Sequence, residues 1–212
     1  MANNSVLRDQ IKEHLLFLIR EGRLGIGKTI NLAALSRATG ISVTPIREAL
    51  SQLEHARVIK AIPNRGFVVA SLSKEEAKDI IGTIAQLEVM ALEASPFKKE
   101  TVEILKKVQQ TMENTPNAED GLQLQLQFHS LLVQGCQNKV LLQVLEDLKL
   151  RLSFYEHHLI KEPHFIQKLV RQTRSIVEAI EEDNVPTAAL ILKMNWMAIL
   201  ELMEAQMDVK KG

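Results

Sequence analysis

The chain has 212 residues, 46% of them hydrophobic, enough to bury a core in two small domains or one larger one. Aromatic residues make up only 4% while Leu, Ile, Ala, Glu, Gln and Lys abound, which argues against a β-sandwich and for packed helices. Lys plus Arg equal Asp plus Glu at 26 each, a balance that taken alone speaks against a nucleic-acid partner.

The average hides an asymmetry. Residues 1–70 hold ten basic against five acidic side chains, and residues 71–212 hold sixteen against twenty-one. A basic amino-terminal module joined to an acidic remainder is expected when only the first part must approach phosphates. The single cysteine, Cys136, has no internal partner for a disulfide, and neither a leader nor a run of eighteen apolar residues is evident. A soluble protein of the reducing cytoplasm, with no membrane association, is therefore expected.

In chain order, Leu7, Ile11, Leu15 and Ile19 recur at helical spacing until Gly22 and Gly25 stop the run. The string Gly22, Gly25, Gly27 follows a helix rather than a strand and has the wrong spacing for a dinucleotide loop. A brief second helix is predicted from Ile30 to Thr39, with Leu32, Leu35 and Ala38 as its apolar face and Gly40 as its stop. Ser42 or Thr44 then caps a third helix of about Thr44 to His55, with Pro45 in the first turn and Ile46, Leu50 and Leu53 as the buried stripe. Helix, glycine-containing turn and helix make a helix-turn-helix. β-Prone Val58–Ile62, the turn Pro63-Asn64-Arg65-Gly66 and β-prone Phe67–Ala70 add a wing.

Beyond Ser71 the strand signal fades. Ser73 with Glu76 forms a capping box for a helix running to about Ala94, and five more helices follow at roughly 97–113, 118–135, 138–159, 163–182 and 186–207, punctuated by Pro96, Pro116, Gly135, Pro163 and Pro186. Leu122, Leu124, Leu126 and Phe128 alternate in period two, as a half-exposed strand would, but the stretch lacks β-branched residues and a partner strand, so helix is expected. The reading is a mainly α chain: a winged helix-turn-helix over residues 1–72, then an all-helical antiparallel bundle of about six helices over 73–212. No nucleophile, base and orienting residue stand in a recognisable arrangement, so no catalytic residues and no enzyme are expected.

Residues 40–50, Gly-Ile-Ser-Val-Thr-Pro-Ile-Arg-Glu-Ala-Leu, resemble the signature of the GntR family of regulators, and the likeness continues through Leu53-Glu54 and Arg65-Gly66-Phe67-Val68-Val69. The second part resembles the FCD domain of the FadR-like branch at Phe128-His129, at the Gly135 to Asn138 connection and at Leu141-Leu142. The resemblance implies a homodimer that binds a palindromic operator in double-stranded DNA, with a small-molecule effector in the helical domain altering that affinity. A different class of function stays open: a helical protein-interaction or lipid-binding module whose winged helix contacts protein.

In a recognition helix the amino-terminal residues lie nearest the base edges, which selects Ser42, Val43, Thr44 and Arg47. The Arg47 guanidinium either forks onto guanine O6 and N7 or holds a phosphate. Ser42 and Thr44 suit phosphate positioning at a helix start. Arg65 and Gly66 at the wing tip either reach the minor groove or backbone, or form a solvent-facing turn. Val43 stands where many members of the family have arginine; it either meets a thymine methyl or packs on its own turn.

Many FCD domains hold a metal through an Asp, a His four residues later and two further His. Here the four positions are Gln125, His129, Thr173 and Asn195, so one ligand of four survives. Amides and hydroxyls are weak ligands beside carboxylate and imidazole, so neither a metal nor another cofactor is expected. The four side chains either line a neutral, hydrogen-bonding effector pocket or fill the bundle and bond one another. His157, His158 and His164, with Glu156 and Glu162, read as a solvated helix junction, and Cys136 as a structural thiol.

Overall fold

A computed structural model describes residues 2–20, 23–63, 66–159 and 163–209. The chain divides into two compact units, Met1–Ser73 with Ser153–His158, and Lys74–Leu152 with Leu159–Gly212.

The first unit opens with helix α1 (Ala2–Arg20), whose Ile11, Leu15, Leu16 and Ile19 are buried at the expected spacing. Strand β1 (Thr29–Ile30) comes next, where the sequence had suggested the start of a helix. Helix α2 begins only at Leu32 and runs to Thr39, because Asn31 is its N-cap: the side-chain oxygen accepts from the Ala34 amide at 2.9 Å. Ile30, 4% exposed, belongs instead to the sheet. Gly40 ends α2 at φ 70°, a left-handed conformation that favours glycine. Ser36 Oγ donates to the Ile41 carbonyl at 2.7 Å, and Thr39 Oγ1 accepts from the Ile41 amide at 3.3 Å, fixing the turn.

Helix α3 (Val43–His55) buries Pro45, Ile46, Ala49, Leu50 and Leu53 and packs on α1 and α2. It ends in a Schellman motif: Val58 donates to the Leu53 carbonyl at 2.9 Å and Arg57 to Glu54 at 2.8 Å. Arg57 takes the left-handed position at φ 56°. Strands β2 (Ile59–Ile62) and β3 (Gly66–Val69) form the wing hairpin, with Ile59 opposite Val69 and Ile62 opposite Gly66. β3 is central in the order β1-β3-β2, an arrangement the sequence reading lacked for want of β1. Gly27 donates to Val69 at 2.9 Å and Val69 to Lys28 at 3.1 Å, tying the base of the wing to the segment after α1. On β2 the Ala61 amide donates to Glu54 Oε1 of α3 at 2.9 Å.

The second unit contains α4 (Lys74–Glu93), α5 (Lys99–Glu113), α6 (Ala118–Val133), the larger part of α7 (Lys139–Leu159), α8 (Pro163–Glu181) and α9 (Val185–Val209). α9 packs along α4 and α8, while α6 lies against α4, α5 and α8. Its Val185–Met207 stretch is long and apolar enough to cross a membrane by length and composition. In this fold it buries Ala188, Leu192, Trp196, Ile199 and Met203, together with polar Asn195, as a core helix does. α6 resolves the period-two stretch as helix: Gln125, Phe128, His129 and Leu132 are buried at helical spacing, while Leu124 and Leu126 are half-buried.

Candidate DNA-binding edge and buried polar cluster

The amino-terminal edge of α3 is the exposed end of a helix held from behind by its apolar stripe. Ser42, Val43, Thr44 and Arg47 are all exposed, Val43 at 39%. Ser42 is the N-cap, yet its side chain makes no capping hydrogen bond, and the first turn carries no acidic residue. Helix-start amides thus remain open to an anion, and the helix dipole favours one there. Arg47 has no ion-pair partner among the described residues. Gly66 opens β3 at φ 79°; Arg65 lies outside the described residues. Further exposed basic side chains of this unit escaped the sequence reading, among them Arg37 in the last turn of α2, Arg57 at the end of α3 and Lys60 on β2. The excess of basic residues signalled them collectively, but nothing in the spacing singled them out.

In the helical unit, Gln125, His129, Thr173 and Asn195 are buried, at 2%, 2%, 0% and 0% exposure. Three of them join directly. Gln125 Nε2 lies 2.8 Å from His129 Nε2 and donates to Asn195 Oδ1 at 3.0 Å, and Asn195 Nδ2 donates to Gln172 Oε1 at 3.1 Å. Thr173 does not join the chain, because its hydroxyl donates to the Val170 carbonyl of its own helix at 2.8 Å.

The centre of this cluster is a residue that sequence reasoning missed. Glu88 of α4 is fully buried, and its Oε2 accepts from His129 Nδ1 at 2.6 Å and from Trp196 Nε1 at 2.6 Å. Lys149 of α7 pairs with Oε1. Burial pushes the Glu88 carboxyl up, but His129 and the Lys149 ammonium, with their hydrogen bonds, outweigh that and hold its pKa at about 2. His129 thus bridges the two side chains, meeting Glu88 through Nδ1 and Gln125 through Nε2. The missed signal is positional. Residue 88 falls on the α4 stripe of Ile81, Ile84, Ala85, Ala91 and Leu92, so a carboxylate there had to be buried and partnered. A second ion pair from α7 to α4 joins Arg151 to Glu76 in the first turn of α4.

No group of three or more His, Cys, Asp or Glu able to hold a metal occurs among the described residues. The donor set does not fit the metal that the fold family implies: Gln125 and Asn195 are amides, and the one imidazole spends Nδ1–H on Glu88 and Nε2 on Gln125. The side chains of His157, His158 and His164 lie outside the described residues.

A chain that combines a winged helix-turn-helix with a helical unit of polar core has the make-up of a two-domain transcription regulator. A model of the gntR family of bacterial regulatory proteins matches residues 7–69, and one of the FCD domain matches residues 79–195. The chain belongs to the GntR family and carries an FCD domain. It is 28% identical over 181 residues, 82% of this chain and 81% of the other, to the uncharacterized HTH-type transcriptional regulator YdhC of Bacillus subtilis. It is 30% identical over 142 residues, 61% and 63% of the two chains, to the HTH-type transcriptional repressor GlaR of Escherichia coli. The solved structure of E. coli McbR/YncC superposes with a TM-score of 0.77 at 21% identity, covering 94% of this chain and 98% of that one, a likeness of fold.

Proposed function

We propose that this regulator binds a palindromic DNA operator as a homodimer in the cytoplasm, and that a small molecule held in the helical unit changes its operator affinity. The observation that carries the DNA reading is the open start of α3. An unused N-cap hydroxyl, free amides, no acidic residue in the first turn and an exposed Arg47 stand together on a rigid helix. Such an edge supplies phosphate positioning from Ser42 and Thr44, and base or phosphate recognition from Arg47. Apolar side chains left exposed on α4 and α9, Met90 at 54%, Leu190 at 61% and Met194 at 53%, support a second copy as partner.

A titration of operator-containing DNA against salt tests the reading: log affinity should fall with log salt at a slope of about −0.9 per neutralised phosphate, less steeply once Arg65 is replaced. No salt-dependent DNA affinity overturns it. The effector domain is further proposed to work without a metal. Elemental analysis of the purified protein should then find no stoichiometric zinc, nickel or manganese.

A further inference from the structure

The start of α3 sets one apolar side chain among polar ones. Val43 is the first residue of the helix and is 39% exposed, while Ser42, Thr44 and Arg47 around it are exposed and polar. The helix makes its buried contacts through Pro45, Ile46, Ala49, Leu50 and Leu53, so Val43 lies off the stripe that holds it in place. Local preference does not explain a valine there, because its branched side chain loses rotamer freedom in a helix and its methyls stay in water. The same stiffness keeps those methyls pointing one way, as suits a group that meets a fixed surface. Residues 43 and 47 stand one turn apart on the same helical face, about 6 Å along the axis, against about 3.4 Å between stacked base pairs. A helix seated in the major groove by its first turn therefore brings Val43 over a base pair about one or two steps from the one nearest Arg47.

We infer that Val43 is a specificity residue: its methyl groups meet the 5-methyl group of a thymine in the major groove, about one or two base pairs from the contact of Arg47. The inference rests on the reading of α3 as the helix that enters DNA, and it names a base which that helix selects. Thymine is the one base whose major-groove edge carries a methyl group; guanine, adenine and cytosine present hydrogen-bond donors and acceptors there. An isopropyl group laid on those edges would strip their water and return no hydrogen bond, whereas two methyl surfaces brought together leave water with a gain. Ser42 and Thr44 do not compete for this role, since their hydroxyls suit phosphate oxygens.

The test first lets the full-length protein select its site from a random pool of DNA duplexes. Each thymine of the selected site is then replaced by deoxyuridine, which loses the methyl group and keeps every hydrogen-bonding group, and affinity is read by fluorescence anisotropy at fixed salt. At one thymine position the replacement should weaken binding about fourfold per half-site, and about sixteenfold when both half-sites carry it. Val43→Ala and Val43→Ser, checked by thermal melting, should each bring that penalty below about twofold while leaving the salt slope of the parent, because no charge is altered. Should neither variant fold or bind, the Val43 methyl signals of the wild-type complex must show NMR cross-peaks to a thymine methyl. Failure to select any site overturns the DNA reading and takes the inference with it. The thymine assignment alone falls if a site is selected but no deoxyuridine replacement matters, if the full penalty persists in both variants, or if the cross-peaks are absent.

Discussion

Replacing Glu88 by alanine removes the acceptor on which the buried cluster converges. Three groups lose their partner at once: the Lys149 ammonium, His129 Nδ1–H and Trp196 Nε1–H. Breaking a buried ion pair by deleting one member costs about 3–5 kcal/mol, because the survivor's charge is left uncompensated. Lys149 retains 16% side-chain exposure and can turn part of its charge to water, which argues for the lower end of that range. Orphaning the two N–H groups costs about 1–3 kcal/mol each, a sum the relaxing cluster does not bear in full because the same space can admit water. The net loss expected for Glu88→Ala is about 4 kcal/mol, a large share of the roughly 5–15 kcal/mol that holds a domain together. Urea unfolding of the helical unit, followed by Trp196 fluorescence and by far-ultraviolet circular dichroism, measures it. Glu178→Ala, at an exposed position of α8, is the control and should stay within about 0.5 kcal/mol of the parent. A loss below about 1 kcal/mol for Glu88→Ala would refute the reasoning, since no partner could then have depended on this carboxylate.

The remaining predictions concern pH, DNA and backbone. The Glu88 pKa is depressed from 4.5 to about 2, so the stability it contributes is complete above about pH 4.5 and is lost as pH falls toward 2, an effect on the order of 3 kcal/mol. Denaturation across that window should be correspondingly flatter in Glu88→Gln. Arg47→Ala should weaken operator binding about 5- to 150-fold. Fluorescence anisotropy on matched and mismatched sites tells its two roles apart: a base contact relaxes specificity, whereas a phosphate contact weakens all sequences alike and lowers the salt slope by about 0.9. Gly40→Val places a β-branched residue at φ 70° and should destabilise the first unit by at least about 1–2 kcal/mol, read by thermal melting. Arg57→Gly, at φ 56°, should instead stabilise that unit by about 1 kcal/mol; no gain in melting temperature would count against strain at that position.

Much of the molecule could be read from its sequence, for reasons that differ by region. In the first unit, local chemistry coincides with local structure. Gly40 supplies a left-handed turn, Pro45 suits a first helical turn, and the apolar stripe of α3 repeats at helical spacing. The family signature lies over those same residues. β1 escaped because two residues carry no periodicity, and its existence depends on pairing with β3, 37 positions away at Ile30 opposite Phe67. In the second unit the helices followed from their punctuation, but the polar centre did not. Gln125 and His129 were found through resemblance, whereas Glu88, Lys149 and Trp196 come from three other helices and meet only when the bundle is packed. The period-two run in α6 is helix, as its lack of β-branched residues implied, and the buried Gln125 interrupts the apolar stripe that would otherwise show the helical period.

The hydrogen bond from Ala61 to Glu54 also bears on solubility. β2 is an outer strand of the sheet, and an outer strand with open amides is a template onto which a strand of another molecule can add. Glu54 occupies one such amide with a carboxylate held on α3, placing negative charge and a filled donor along the rim where a foreign strand would dock. Loss of that side chain should therefore favour sheet-mediated self-association at high protein concentration, even where the monomer melts at nearly the same temperature.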